Sequence, residues 1–156
     1  MKKIFLSLLS LMAILSYAQK SNFKIGTHLG LPINGTENTS KFSTGLDATY
    51  LYDLSEKFSL GATTGFTTFF GKKFNDQFTY PNVTVIPITL SSEYNLFNNF
   101  KLGADVGLVI GASNIDNGYF YYHPKLIYGF DKIEFQAGFR SFIDYQTLNF
   151  GVFYKF

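Results

Sequence analysis

Leu148-Asn149-Phe150-Gly151-Val152-Phe153-Tyr154-Lys155-Phe156, the last nine residues, decide how the rest of the sequence is read. Counting back in twos from Phe156 gives Tyr154, Val152, Phe150 and Leu148, all apolar or aromatic. The intervening Lys155, Gly151 and Asn149 are polar or small, and only Phe153 departs from the pattern. A period of two is the mark of a β-strand with two different faces.

The same theme repeats upstream. A first strand shows Phe23, Ile25, Thr27, Leu29 and Leu31 on one face and Lys24, Gly26, His28 and Gly30 on the other. Similar two-faced segments begin at Phe42, Phe58, Thr84, Phe100, Tyr122 and Ile133, and the terminal stretch is the eighth. The breaks at 32–41, 71–82 and 112–119 are long, and those at 53–57, 95–99, 131–132 and around Asp144-Tyr145-Gln146 are short. Each strand has about ten residues, the length a tilted strand needs to cross a bilayer. Short turns on one side and longer loops on the other are the habit of outer-membrane barrels. Pro87 and Pro124 cannot donate to a ladder, so a bulge is expected at Pro87, and a bulge or an early strand start at Pro124. No helix is expected after the leader. The expected fold class is all-β, an eight-stranded antiparallel up-and-down transmembrane β-barrel.

The first 18 residues read differently. Lys2 and Lys3 precede an apolar run from Ile4 to Leu15, and Ser16-Tyr17-Ala18 supplies small residues at the cleavage positions. This order marks a cleavable signal peptide, 1–18, ahead of a barrel spanning 19–156. Removing Lys2 and Lys3 lowers the 13 basic residues to 11, equal to the 11 acidic ones. Zero net charge argues against a nucleic-acid partner, which requires a basic surface. There is no cysteine, so neither a disulfide nor a lipid-modified cysteine anchor is expected. Aromatics at 19% exceed charged residues at 15%, against about a quarter charged in soluble domains.

The two faces cannot be exchanged. The apolar parity carries no Asp, Glu, Lys, Arg or His. An eight-stranded barrel is only just wide enough inside for side chains to fill it, so that many rings must face outward. All of the 14 glycines except Gly35, Gly71 and Gly118 fall on the opposite parity, which suits a narrow lumen. That inward parity also carries Lys24, Asp47, Glu93, Lys101, Asp105, Lys125, Glu134, Arg140 and Lys155. A lysine turned to lipid at mid-membrane costs roughly 2–4 kcal/mol, so the charges belong inside. The set reads as a salt-bridged polar core that plugs the barrel, with Glu134 and Glu93 as expected partners of Arg140. A proton or ion path is the alternative. Rings gather near strand ends, with Phe23, Tyr52, Phe100, Phe130 and Phe156 toward one rim and Phe42, Phe70, Tyr122 and Phe139 toward the other.

On strand count, alternation, loop asymmetry and the terminal aromatic, residues from about Asn22 to Phe156 resemble the small eight-stranded outer-membrane barrels of the OmpA-transmembrane and OmpX type. The resemblance implies a Gram-negative outer-membrane location and lipid and lipopolysaccharide as surroundings. It further implies a monomer, and assembly machinery that reads Phe150, Val152, Tyr154 and Phe156. It does not fix an activity, because one scaffold hosts many functions.

Candidate chemistry is sparse. His28, Ser43 and Asp47 share the lumen parity of neighbouring strands, a possible Ser-His-Asp set. His123 is expected near the external rim. The family's lipid A deacylases carry a His-x-Ser pair facing lipid, which neither His28-Leu29-Gly30 nor His123-Pro124-Lys125 matches. Two histidines without cysteine make no metal cluster, and no cofactor is expected. The expected role is therefore a non-enzymatic envelope barrel whose outer loops, Lys72–Tyr80 above all, are its variable contact surface. A lipid-active enzyme or narrow channel is the alternative.

Overall fold

The computed structural model describes residues 21–74, 78–116 and 118–156. The leader reading, 1–18, lies outside the described residues. Eight strands follow one another: β1 (Ser21–Ile33), β2 (Ser40–Asp53), β3 (Phe58–Gly71), β4 (Val83–Phe97), β5 (Phe100–Ser113), β6 (Tyr119–Phe130), β7 (Ile133–Phe142) and β8 (Tyr145–Lys155). Each pairs antiparallel with its neighbours, and β8 returns to β1, so the sheet closes into an up-and-down barrel. Closure pairs every edge, which is the one way a sheet survives in hydrocarbon. At the seam Thr27 faces Val152 and Leu29 faces Phe150, and the Phe156 amide donates to the Phe23 carbonyl.

The alternation fixes the two faces. Leu29, Leu46, Phe66, Leu90, Leu108, Phe135 and Phe150 stand exposed on the outer wall, while Lys24, Asp47, Glu93, Asp105 and Glu134 are buried inside it. Rings meet at both rims. Phe23 lies 5.6 Å from Phe156 and Phe100 4.9 Å from Tyr128 near the short turns, and Phe42 stacks on Phe70 at 4.6 Å near the loops.

Several local expectations are corrected. Pro87 causes no bulge. The β3–β4 pairing runs to Thr64 opposite Ile88 and resumes in unchanged register at Thr67 opposite Val85. Pro87 therefore sits where two pairs are skipped, while its pairing with β5 is intact. The register shifts in β4 fall between Thr84 and Val85 and between Asn95 and Phe97 instead. At Pro124 the early start is the alternative that holds: β6 begins at Tyr119, and its pairing with β7 skips from Tyr122 to Lys125 without a shift. β1 extends through Pro32, which pairs with Thr147. A single helical turn, α1 (Thr36–Thr39), stands in the first loop. Thr36 Oγ1 donates to the Asp144 carbonyl and accepts from the Gln146 amide, tying α1 to the β7–β8 connection. That connection is only Ile143-Asp144, so the fourth loop-side link is as short as the turns.

Candidate functional site: the barrel lumen

The lumen is filled in layers, and register determines which residues share a layer. Near the short turns, Lys24 of β1 and Lys101 of β5 face Glu93 of β4 and Glu134 of β7. Lys24 Nζ donates to both glutamates. Lys101 Nζ lies 2.7 Å from Glu134 and 3.4 Å from Glu93. Each lysine thus spans both carboxylates, and the group of four carries no net charge. Buried charges are tolerable only in this paired, multiply bonded form. Beneath it a vestibule of about 320 Å³ opens between the turns, lined by Asn22, Asp53, Ser59, Asn95 and Lys155 among others.

Two further groups lie deeper. Asp105 of β5 meets Lys125 Nζ at 2.7 Å and His123 Nδ1 at 3.0 Å, both from β6. Arg140 of β7 reaches across the lumen to Asp47 of β2 and places Nη1 2.9 Å from His28 Nε2. His28 Nδ1 is 3.0 Å from Asp47. A guanidinium only donates, so His28 Nε2 accepts and the ring proton sits on Nδ1, facing Asp47. Each group pairs one cation with one carboxylate beside an imidazole. Glycines make the room: a Cβ on Gly45 would come within 2.8 Å of His28 Cε1, and one on Gly138 within 2.7 Å of His123 Nε2. Threonine and serine hydroxyls finish the β2–β4 side, with Thr49 and Thr63 2.8 Å apart and Ser91 donating to Thr63 at 2.6 Å.

Under the loops the filling changes. Phe69, Val83, Val85, Val109, Tyr121 and Phe142 form a buried apolar cluster, with Ile115 and Tyr145 packed against it. Phe142 stacks on Tyr145 at 5.3 Å, and Phe69 meets both edge-on.

Of the nine charged residues read as inward from sequence, eight enter these three groups. Lys155 does not. It is half-buried at the vestibule and forms no ion pair among the described residues. Arg140 pairs with Asp47, not with Glu134 or Glu93. Arg140 is six residues along β7 from Glu134, roughly 20 Å at the strand rise, which places the two in different layers. His123 is buried in the lumen, not at the rim, because β6 begins four residues before it. Ser141, on the outward parity, is buried as well. The apolar cluster was missed, although its signal was present: Phe69, Val109, Tyr121 and Phe142 all have inward parity at the loop ends of their strands.

The geometry offers little catalysis. Ser43 is fully buried, and its hydroxyl has no hydrogen-bond partner. His28 Nε2, the atom a nucleophilic serine would need, is spent on Arg140 and Thr67. Among the described residues no three His, Cys, Asp or Glu side chains are grouped to hold a metal. Phe150, Val152, Tyr154 and Phe156 all stand exposed on the outer wall of β8.

No family model matches the chain, and no curated protein matches it. Solved structures do. The chain is similar to a de novo designed transmembrane β-barrel, with a TM-score of 0.58 at 9% identity over 86% of this chain and 95% of that one. The fold is that of a transmembrane β-barrel. It is also similar to Ail, the attachment invasion locus protein of Yersinia pestis, with a TM-score of 0.54 at 11% identity, covering 87% of this chain and 97% of that one. The designed barrel TMB2.3 matches at a TM-score of 0.53 and 14% identity, over 86% and 94% of the two chains. Identities this low carry the architecture alone.

Proposed function

We propose that this protein is a monomeric outer-membrane barrel of the OmpA/OmpX type in a Gram-negative envelope, with an occluded lumen and a non-enzymatic role. The observation that carries the reading is the unbroken succession of fillings: a neutral ion-pair layer, two carboxylate–cation–imidazole groups, then an aromatic and valine cluster. An eight-stranded barrel has no width left beside such side chains. The exposed wall of Leu, Ile, Phe and Tyr fits membrane lipid and lipopolysaccharide, and leader 1–18 fits export. The outward residues of β8 fit recognition by the barrel-assembly machinery. Contact with other molecules then falls to the loops. The segment after β3 carries Phe74, 70% exposed, and Phe78 and Tyr80, where an antiparallel bridge joins Lys73 to Thr79. Attachment, the property in Ail's name, is a role such loops can serve.

Single-channel recording on the refolded protein in planar bilayers tests the occlusion. No stable conductance steps are expected, and discrete ohmic steps would establish a channel. Mass analysis of lipid A with and without expression tests the enzymatic alternative: an unchanged acyl pattern is expected, and a changed one overturns the non-enzymatic role.

A further inference from the structure

We infer that a small space walled by His28 and His123 is a built hydration site holding one water molecule. The space measures about 10 Å³ and is lined by His28, His123, Gln136, Arg140, Asn149 and Phe153 among others. A single water occupies roughly 10–15 Å³ by the same measure, so nothing larger fits. Besides His28, whose Nδ1 faces Asp47 at 3.0 Å, three of the lining side chains are more than nine-tenths buried and hold polar atoms that no group among the described residues satisfies. They are Arg140 Nε, both amide atoms of Gln136, and Asn149 Oδ1.

The orphaned atoms select the ligand. Arg140 Nε and Gln136 Nε2 can only donate, and Asn149 Oδ1 and Gln136 Oε1 can only accept. A bare cation is refused by the guanidinium on the wall, and an anion by the two amide oxygens. Water accepts two hydrogen bonds and donates two, which matches the set in number and in kind. Buried polar groups are rarely left without a partner, and ordered water with two to four partners is the usual remedy. Gln136 thereby acquires a purpose. It faces Gly151 across the β7–β8 pairing, and the water links it to the Arg140 group. Asn149, which already donates to Thr147 Oγ1 at 2.5 Å, is drawn into the same linkage.

The experiment is water-selective NOESY and ROESY on ¹⁵N-labelled full-length mature protein in detergent micelles, read at the Arg140 Nε–H and Gln136 side-chain amide resonances. Cross-peaks to water of opposite sign in the two experiments identify a long-lived bound molecule, and same-sign peaks identify proton exchange with solvent. Opposite-sign peaks are expected at both groups, with loss of the Arg140 peak in Gln136→Met, which fills the space with an apolar chain of similar length. No dipolar peak at Arg140 in the unaltered protein, or a peak that survives in Gln136→Met, overturns the site. Should Gln136→Met fail to refold, the unaltered protein decides the matter by itself.

Discussion

The two ends of the lumen solve one packing problem with different chemistry. At the turn end, Lys24, Lys101, Glu93 and Glu134 fill the space with charges that neutralise each other. At the loop end, Phe69, Tyr121, Phe142 and three valines fill it with apolar groups. The first arrangement is directional, because every charge depends on its partners being present and in place. The second is not, because a ring or methyl can shift slightly and keep most of its contacts. The ionic end should therefore specify register and tolerate substitution poorly, whereas the apolar end should seal the mouth and tolerate it well.

Nearly isosteric substitutions test that contrast, and the ionic end should show the largest effect. Glu134→Gln keeps the shape but leaves Lys24 and Lys101 to share the single carboxylate of Glu93. Removing one partner of a buried ion pair costs about 3–5 kcal/mol. Urea unfolding of the barrel in lipid vesicles should show a loss of that size. The double variant Glu134→Gln/Lys101→Met, which restores neutrality, should recover much of it. A Glu134→Gln loss under about 1 kcal/mol would place this pair with ordinary surface pairs and remove the contrast.

The next effect tests the wall that encloses both ends. Val152 stands exposed on β8, four residues from Phe156, and pairs with Thr27 and Phe135. Val152→Lys turns a charge toward lipid and should cost roughly 2–4 kcal/mol if Val152 lies near mid-membrane. Gly151→Lys, one residue away, instead drives a long cation inward, where Phe153 Cε2 lies only 2.8 Å from a new Cβ. Micelles bend around an outward charge more readily than a bilayer does, so detergent should partly rescue Val152→Lys and not Gly151→Lys. Equal behaviour of the two variants in both media would mean the faces are assigned the wrong way round.

Much of this was legible in the sequence, and the failures share a cause. Parity needs only the chain's own alternation, so it separates Lys24 and Glu134 from Val152 and Phe150 without knowledge of the partner strand. Depth needs the stagger of all eight strands around the barrel, which no single segment encodes. Alternation alone therefore pairs Arg140 with Glu134 on its own strand, and it puts His123 at the rim although β6 starts earlier than its alternation suggests. Lys155 has inward parity but stands at the vestibule, where solvent replaces a carboxylate partner. The apolar cluster is hidden for a related reason: inward Phe and Val at strand ends look like breaks in the alternation until the strands are staggered around the barrel.

At the loop end, Phe142→Leu should cost less than the ionic change. It removes a ring stacked on Tyr145 but leaves an apolar side chain in a cluster able to adjust. A loss of about 1.5 kcal/mol is the upper range for such swaps. Unfolding in the same vesicles measures it directly. A loss as large as that of Glu134→Gln would show that the loop end is as intolerant as the ionic end.

The smallest effect has the opposite sign and lies beside that cluster. Ile143 joins β7 to β8 between Phe142 and Tyr145, and its φ is 48°, in the left-handed region. A β-branched residue fits poorly there, because its Cβ crowds the following carbonyl at a cost of about 1–2 kcal/mol. Asn34, Asn98, Asn114 and Asp131 hold the same conformation elsewhere in the chain, and they are the residue types that tolerate it. Ile143 is 40% exposed, so its side chain recovers only part of that cost by packing. Ile143→Asn should therefore stabilise the barrel by about 1 kcal/mol, raising the urea midpoint with an unchanged slope. Destabilisation would mean that Ile143 is held in its strained turn by contacts with the apolar seal, and that this end of the lumen is as closely specified as the other.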